Sequence, residues 1–336
     1  MLIEAGEYFI EIKTPDKTIK KRVGNKETAL KVIKQLKIKQ PLTIDTFNEV
    51  SFRWFENYVK KRLRPGTIER YESTLKIINP VIGTKFIDKI KRSDIKTLLN
   101  NEIEKGKSQT SVELMRTVIS SVFNYAIDEE LIKHNPTTNI LKSLNLKKQQ
   151  QKEINPYTKD EARQFLEICK NHYPESYPFF MTAFNTGLRL GELLALDWHD
   201  IDLVERKIKV YKSYKRKELT GTKTGKTRYV DISDKLYEIL KAEYKKTGIV
   251  FVNNKGNRHE QNTIGKHFKR ILKRFELRKI RFHDIRHTFI SILISNGAKL
   301  LYVKEQAGHS SIKMTIDVYS KWLPNDDNLE INKLDI

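Results

Sequence analysis

The sequence predicts an α+β chain, mainly α, on three observations. Between residues 43 and 135, apolar side chains recur at helical spacing in four successive runs. Period-two runs rich in Val, Ile and Tyr are short and confined to 8–23 and 207–232. A polar stretch without periodicity, SLNLKKQQQKEIN at 143–155, separates two regions that each hold enough apolar residues for a core. At 336 residues, the chain has room for two or three domains.

The first 40 residues read as a small basic module, with ten basic residues against five acidic. A strand is expected at 8–13, a turn at Pro15-Asp16, a second strand at 17–23 and a helix at 26–36. So small a module buries little and is marginal alone. Residues 43–142 follow as a helical bundle. Phe47, Val50, Trp54, Phe55 and Tyr58 mark its first helix, which Pro65-Gly66 breaks. Thr67 is expected to cap the second, with Ile68, Tyr71, Leu75 and Ile78 on one face. A third runs over 94–104 and stops at Gly106. The last carries Met115, Val118, Ile119, Val122, Phe123 and Ala126, and Asn135-Pro136 closes it.

After the 143–155 linker, Thr158 and Glu161 form a capping box that opens a mixed α/β domain over 156–320. Helices are expected at 159–170, 176–186, 190–196, 234–246, 261–275, 284–295 and 300–306. The strands 207–214 and 228–232 read as one hairpin with a mobile Gly/Thr-rich tip, ELTGTKTGKT. Residues 321–336 form a tail of net acidic charge, and no internal repeat is seen.

Composition excludes several classes. The 32 aromatic residues and the periodic runs exclude disorder throughout. One cysteine, Cys169, excludes a disulfide scaffold and fits a reducing compartment. No apolar stretch reaches the roughly 18–20 residues of a membrane span, and the N-terminus lacks the pattern of a signal peptide. Lys and Arg number 64 against 42 Asp and Glu, a formal charge of +22. A Lys-rich proteome is one reading of that surplus. Nucleic acid is the favoured partner, because cations on phosphates release condensed counterions.

Polar residues inside core-like segments carry the chemistry. Arg189 sits in TGLRLGELLAL, His283 and Arg286 share a helix face in HDIR, His309 follows a glycine in AGHSS, Tyr319 lies in TIDVYS, and Lys223 lies in TKTGKT. Singly, each has a plain structural reading, as a snorkelling arginine or a core tyrosine does. Together they suit phosphoryl transfer without metal. Two guanidinium forks clamp non-bridging oxygens. A tyrosine hydroxyl attacks phosphorus. A lysine protonates the departing oxygen, and histidine relays a proton or bonds the phosphoryl group. Neither HExxH nor a cysteine pair nor a carboxylate cluster at ligand spacing is evident, so no metal cofactor is expected. The missing GxxxxGK[ST] loop removes ATP. Asp284 and Glu192 are read as acids that orient the arginines.

The order Arg189, Lys223, His283-x-x-Arg286, His309, Tyr319 resembles the tyrosine recombinase (phage integrase) family. The matching segments are TGLRLGELLALDWHDID, TKTGKTRYVDIS, HDIRHTFIS and GHSSIKMTIDVYS. Residues 43–135 resemble its helical core-type DNA-binding domain. Residues 1–40 resemble the arm-binding domain of integrases from phages and integrative transposons. The resemblance implies Tyr319 as nucleophile, forming a 3′-phosphotyrosine, with Arg189 and Arg286 on the scissile phosphate. It implies Lys223 as general acid, His283 as general base or relay, His309 on a non-bridging oxygen and Glu192 as support for Arg189. Ala307 stands where Leu is commoner, and Ser320-Lys321 replaces a frequent Ser-His.

The resemblance also implies strand exchange through a Holliday junction. Its expected partners are double-stranded DNA with core-type and arm-type sites, a homotetramer, an excisionase and a DNA-bending host protein. No membrane is implied, and the expected location is the bacterial cytoplasm and nucleoid. The two domains are expected to clamp DNA, and the tail to dock on a neighbouring protomer. Two rivals stay open, a type IB topoisomerase-like relaxing enzyme and a DNA-binding regulator with a degenerate catalytic domain.

Overall fold

The structure, a computed structural model, describes residues 2–4, 7–13, 18–28, 31, 45–144, 154–222 and 225–323. It divides into two compact units, 1–152 and 153–336.

The first unit begins with an antiparallel sheet of β1 (Leu2–Glu4), β2 (Glu7–Lys13) and β3 (Thr18–Gly24), in that order. The last two match the expected strands. β1 is an addition, because three residues are too few for a periodic signal. Of the helix expected at 26–36, only 26–28 and 31 fall within the described residues, and these are helical. The Lys26 ammonium bridges Asp45 at 3.0 Å and Glu49 at 3.1 Å.

Four helical stretches follow. α1 (Phe47–Trp54) starts from a capping box in which Thr46 and Glu49 satisfy each other's backbone N–H, and it runs on through a π-helical turn at Phe55–Val59. α2 (Pro65–Ile82), α3 (Arg92–Glu104) and α4 (Gln109–Asp128) complete the bundle around buried Phe47, Ile78, Leu99, Ile119 and Phe123. Two boundaries differ from expectation. Arg64, not Thr67, is the N-cap of α2, and Pro65 lies in its first turn. A proline there loses no hydrogen bond and is preset for helical φ, so Pro65-Gly66 opens this helix as well as ending the one before. α4 stops at Asp128, seven residues before Asn135. There Glu130 adopts φ +57°, and the Asn135 amide turns back to the Ser120 carbonyl at 3.1 Å.

In the second unit, the Thr158/Glu161 capping box starts α5 (Lys159–His172) as expected. α6 (Tyr177–Thr186) and α7 (Leu190–Ala195) lead to a small antiparallel sheet. This holds β4 (Ile201–Asp202), β5 (Lys207–Val210) and, beyond β5, β8 (Arg228–Asp231). Between β5 and β8 lies a separate hairpin of β6 (Lys212–Lys215) and β7 (Glu218–Gly221). The long strand expected at 207–214 therefore divides at Tyr211. Part of the Gly/Thr-rich segment is strand rather than tip. The actual tip is Arg216-Lys217, at φ +56° and +64°, the left-handed pair that matches hairpin twist. Glu218–Gly221 escaped detection because all four residues are exposed and carry no apolar alternation.

α8 (Asp234–Ala242), α9 (Gln261–Arg274), α10 (Asp284–Ser295), α11 (Leu300–Ala307) and α12 (Ile312–Tyr319) close the unit. Its main core gathers Phe165, Phe180, Ile208, Leu236, Phe268 and Ile285, while a smaller one joins α10, α11 and α12. No described helix is long and apolar enough to cross a membrane.

Candidate active site

The site is assembled at helix ends. α6 terminates on Gly187, whose φ of +58° is the left-handed C-cap conformation. A Cβ there would stand 2.4 Å from the Phe289 ring of α10, so only glycine lets the turn approach that helix. Two residues later Arg189 is the N-cap of α7. The Glu192 carboxylate accepts from the Arg189 backbone N–H at 3.0 Å and from its guanidinium at 3.0 Å. Glu192 thus supports Arg189, as the sequence suggests.

Arg286 lies in the first turn of α10 and is 3% exposed. It donates to the Gly187 carbonyl at 2.9 Å and to the Ala307 carbonyl. These oxygens terminate α6 and α11, where helix dipoles leave partial negative charge. Burial and the neighbouring Arg189 and Arg228 push the Arg286 pKa down to about 9. The group is held charged among like charges, a condition that an entering anion relieves.

Arg228, on β8, was missed by the sequence reading. It forks onto Glu192 at 3.2 and 2.7 Å and donates from Nε to the Gln306 carbonyl at 3.2 Å. A signal was available. Val230, two residues on, is fully buried, so strand periodicity turns Arg228 toward the same inward face. Two guanidinium groups therefore hold one carboxylate, with Arg286 nearby; the carboxylate is 3% exposed and held down at about 2 by Arg228 and Arg189 against the cost of burial.

Tyr319 ends α12 and is 2% exposed. Its hydroxyl hydrogen-bonds Nδ1 of His287, a residue the sequence reading also passed over. His287 lies four residues after His283, so one helix face carries both, and their rings meet edge to face at 5.2 Å. The His309 ring stacks near-parallel to Tyr319 at 6.4 Å, with Nδ1 on the Thr315 hydroxyl at 2.9 Å. Burial first, then nearby positive groups, holds His309 down at about 4, and burial with the neighbouring His283 holds His287 at about 4. His283, the N-cap of α10, is also lowered, by packing around its ring and by Arg286 and Arg189. Burial raises the Tyr319 phenol well above its ordinary range.

Of the expected residues, Arg189, His283, Arg286, His309 and Tyr319 share this neighbourhood with Glu192, while Lys223 lies outside the described residues. Asp284 does not orient either clamp arginine. It pairs with Arg281 at 2.7 Å, since that side chain faces it across the helix start. Among the described residues, one cluster at ligand spacing escaped the sequence reading: Asp197, His199 and Asp200. Its carboxylates are engaged by Lys212 and Arg258.

Chemically, the arrangement offers an anion clamp, a hydroxyl nucleophile and neutral imidazoles at near-neutral pH. That set fits attack on a phosphodiester.

Comparison with known proteins agrees. Residues 156–325 match the phage integrase family, and residues 47–142 match the phage integrase central domain. The ICEBs1 integrase of Bacillus subtilis (strain 168) is 33% identical over 292 residues, covering 79% of this chain and 77% of that protein. A XerC-like tyrosine recombinase of Caldanaerobacter subterraneus subsp. tengcongensis is 29% identical over 326 residues, covering 85% and 83%. Among solved structures, the Tn1549 transposon integrase with circular intermediate DNA superposes with a TM-score of 0.73 at 21% identity, over 87% of this chain and all of that one. A lambda integrase tetramer on a Holliday junction gives 0.65 at 19%, over 92% and 96%.

Proposed function

The chain belongs to the phage integrase family, and from that premise we propose how it works as a tyrosine-type site-specific integrase of a mobile element. Tyr319 attacks the scissile phosphate of double-stranded DNA and forms a 3′-phosphotyrosine. Arg189 and Arg286 hold the non-bridging oxygens and stabilise the charge of the pentacoordinate transition state. Lys223 protonates the departing 5′ oxygen. His309 bonds a phosphoryl oxygen, and His283 serves as base or proton relay. The covalent ester keeps the bond energy, so a 5′ hydroxyl of a partner strand rejoins the DNA without ATP. Two rounds pass through a Holliday junction.

The observation that carries this reading is the convergence of Tyr319 with three guanidinium groups and a single carboxylate, drawn from segments far apart in sequence. A nicked suicide duplex carrying the attachment site tests it. Wild-type protein should become covalently linked to DNA in the presence of a chelator, and Tyr319→Phe should not. Covalent product from the phenylalanine variant, or its loss on chelation, contradicts the assignment. Junction formation between two duplexes, rather than relaxation of one, separates recombination from topoisomerase activity.

The relatives bound to DNA and assembled as a tetramer on a junction support the same partners for this chain. Residues 1–40, with their basic surplus, are assigned to arm-type sites. Residues 43–142 are assigned to core-type sites, 143–155 to the linker and 156–320 to catalysis. The tail 321–336 is assigned to docking on a neighbouring protomer. An excisionase and a DNA-bending host protein complete the proposed set. Removing residues 1–40 should spare core-site cleavage and lower integration, as scored by a two-plasmid integration assay.

A further inference from the structure

We propose that His287 is the group that takes the proton from Tyr319 when the phenol attacks DNA. This rests on Tyr319 being the nucleophile and refines the part left to His283. Among the described residues, the phenol hydrogen-bonds Nδ1 of His287 and not the His283 ring. His283 stands behind, edge to face with His287 at 5.2 Å. It is therefore placed to pass a proton onward rather than to receive it first.

The facing groups make the arrangement conditional on substrate. His287 is flanked by Asp284 and Arg286 on α10, by His283 at its N-cap and Arg281 just before it, by His309 from the turn before α12, and by Tyr319 at the end of α12. Burial and this mostly cationic company leave the imidazole neutral near pH 7, and in the tautomer protonated at Nε2 its Nδ1 accepts from the phenol. Alone, such an imidazole is too weak a base for a phenol whose own pKa is raised by burial. A phosphodiester entering the arginine pocket adds negative charge beside both groups. That charge favours the imidazolium and so strengthens the base at the moment the target arrives. The anion that is attacked also activates the attack.

The step balances. The Tyr319 proton passes to Nδ1 of His287, the phenolic oxygen bonds phosphorus, and the bond from phosphorus to the 5′ oxygen breaks. That oxygen takes a proton from Lys223 and leaves as a hydroxyl. In rejoining, a 5′ hydroxyl gives its proton to the now neutral Lys223 and its oxygen bonds phosphorus, while the phosphotyrosine bond breaks and the imidazolium returns its proton to the departing phenolate.

The test compares two suicide substrates, one with the natural 5′ oxygen and one with sulfur in the bridging position, whose leaving group needs no acid. His287→Asn keeps an acceptor near the phenol but cannot take its proton. It should bind DNA normally and cleave both substrates on the order of 100-fold more slowly than wild type. Its rate should climb about tenfold per pH unit as hydroxide substitutes for the base. Lys223→Ala should be slow on oxygen and restored on sulfur. His287→Gln takes the place of the asparagine variant if that one fails to fold. Wild-type cleavage by the variant, restoration by sulfur, or a slower rate without the steeper pH dependence would overturn the proposal. Cleavage surviving Tyr319→Phe would instead overturn the parent reading.

Discussion

Two charged clusters in the second unit use the same residue types to opposite ends. In one, Lys212 and Arg258 face Asp197 and Asp200, two cations against two carboxylates, at 2.5 to 2.8 Å. In the other, Arg189 and Arg228 hold Glu192 and Arg286 lies nearby, three cations against one carboxylate. The first is neutral overall and ties the start of the small sheet to the loop before α9. The second carries a surplus of positive charge in a pocket that also holds the buried Tyr319 hydroxyl, the proposed nucleophile. Paired buried charge is a structural device, whereas a surplus of one sign suits the entry of a group of opposite charge.

The comparison breaks most sharply if the surplus proves dispensable. Arg189→Ala should lower covalent cleavage on the order of 10²–10³-fold, read from single-turnover kinetics on the suicide duplex. Its thermal midpoint should barely change, since Arg189 is partly exposed and one repulsion is relieved. Arg258→Ala should do the reverse. Losing one partner of this largely buried network, with Lys212 still on Asp197, costs on the order of 1–3 kcal/mol, read from urea unfolding, while cleavage per folded molecule stays near wild type.

Acid should distinguish the Glu192 contribution. Its folded pKa, about 2, lies below the ordinary 4.5. A depressed carboxylate stabilises the fold fully above its unfolded pKa, and the stabilisation fades as pH falls through 4.5 toward 2. Glu192→Gln should therefore be markedly less stable than wild type at pH 7. The gap should narrow steadily below pH 4.5 in pH-dependent urea melts.

The smallest expected effect comes from Gly308→Ala. Gly308 holds φ +65°, and a Cβ would stand 2.9 Å from the Arg228 side chain. A left-handed alanine costs about 1–2 kcal/mol. The fork of Arg228 on Glu192 should also loosen, visible as a several-fold loss of cleavage beyond the stability change.

Much of this was legible from the sequence. Helical periods give the bundle, with the 3.6 spacing of Phe47, Trp54, Ile78 and Phe123 reflected in one core. The capping box at Thr158 opens α5 as read, because its partners lie three residues apart. Arg189, His283, Arg286, His309 and Tyr319 stood out because polar side chains in apolar segments need a reason to be there. Arg228 and His287 had period-two and i,i+4 signals, but each sits in a segment already explained as strand or helix. The hairpin at Glu218–Gly221 left no such trace, since exposed residues pair through backbone alone.

By itself, the sequence determined the helical periods, the turn and cap chemistry and the set of reactive side chains, all of which depend on neighbours within a few residues. The tertiary structure decided which of them meet. The Tyr319 hydroxyl finds His287 rather than His283, and Asp284 serves Arg281 rather than Arg286. One carboxylate is shared by two arginines 39 residues apart. The reason is that a hydrogen bond depends on angles and distances set by the packing of whole helices, which no local pattern encodes.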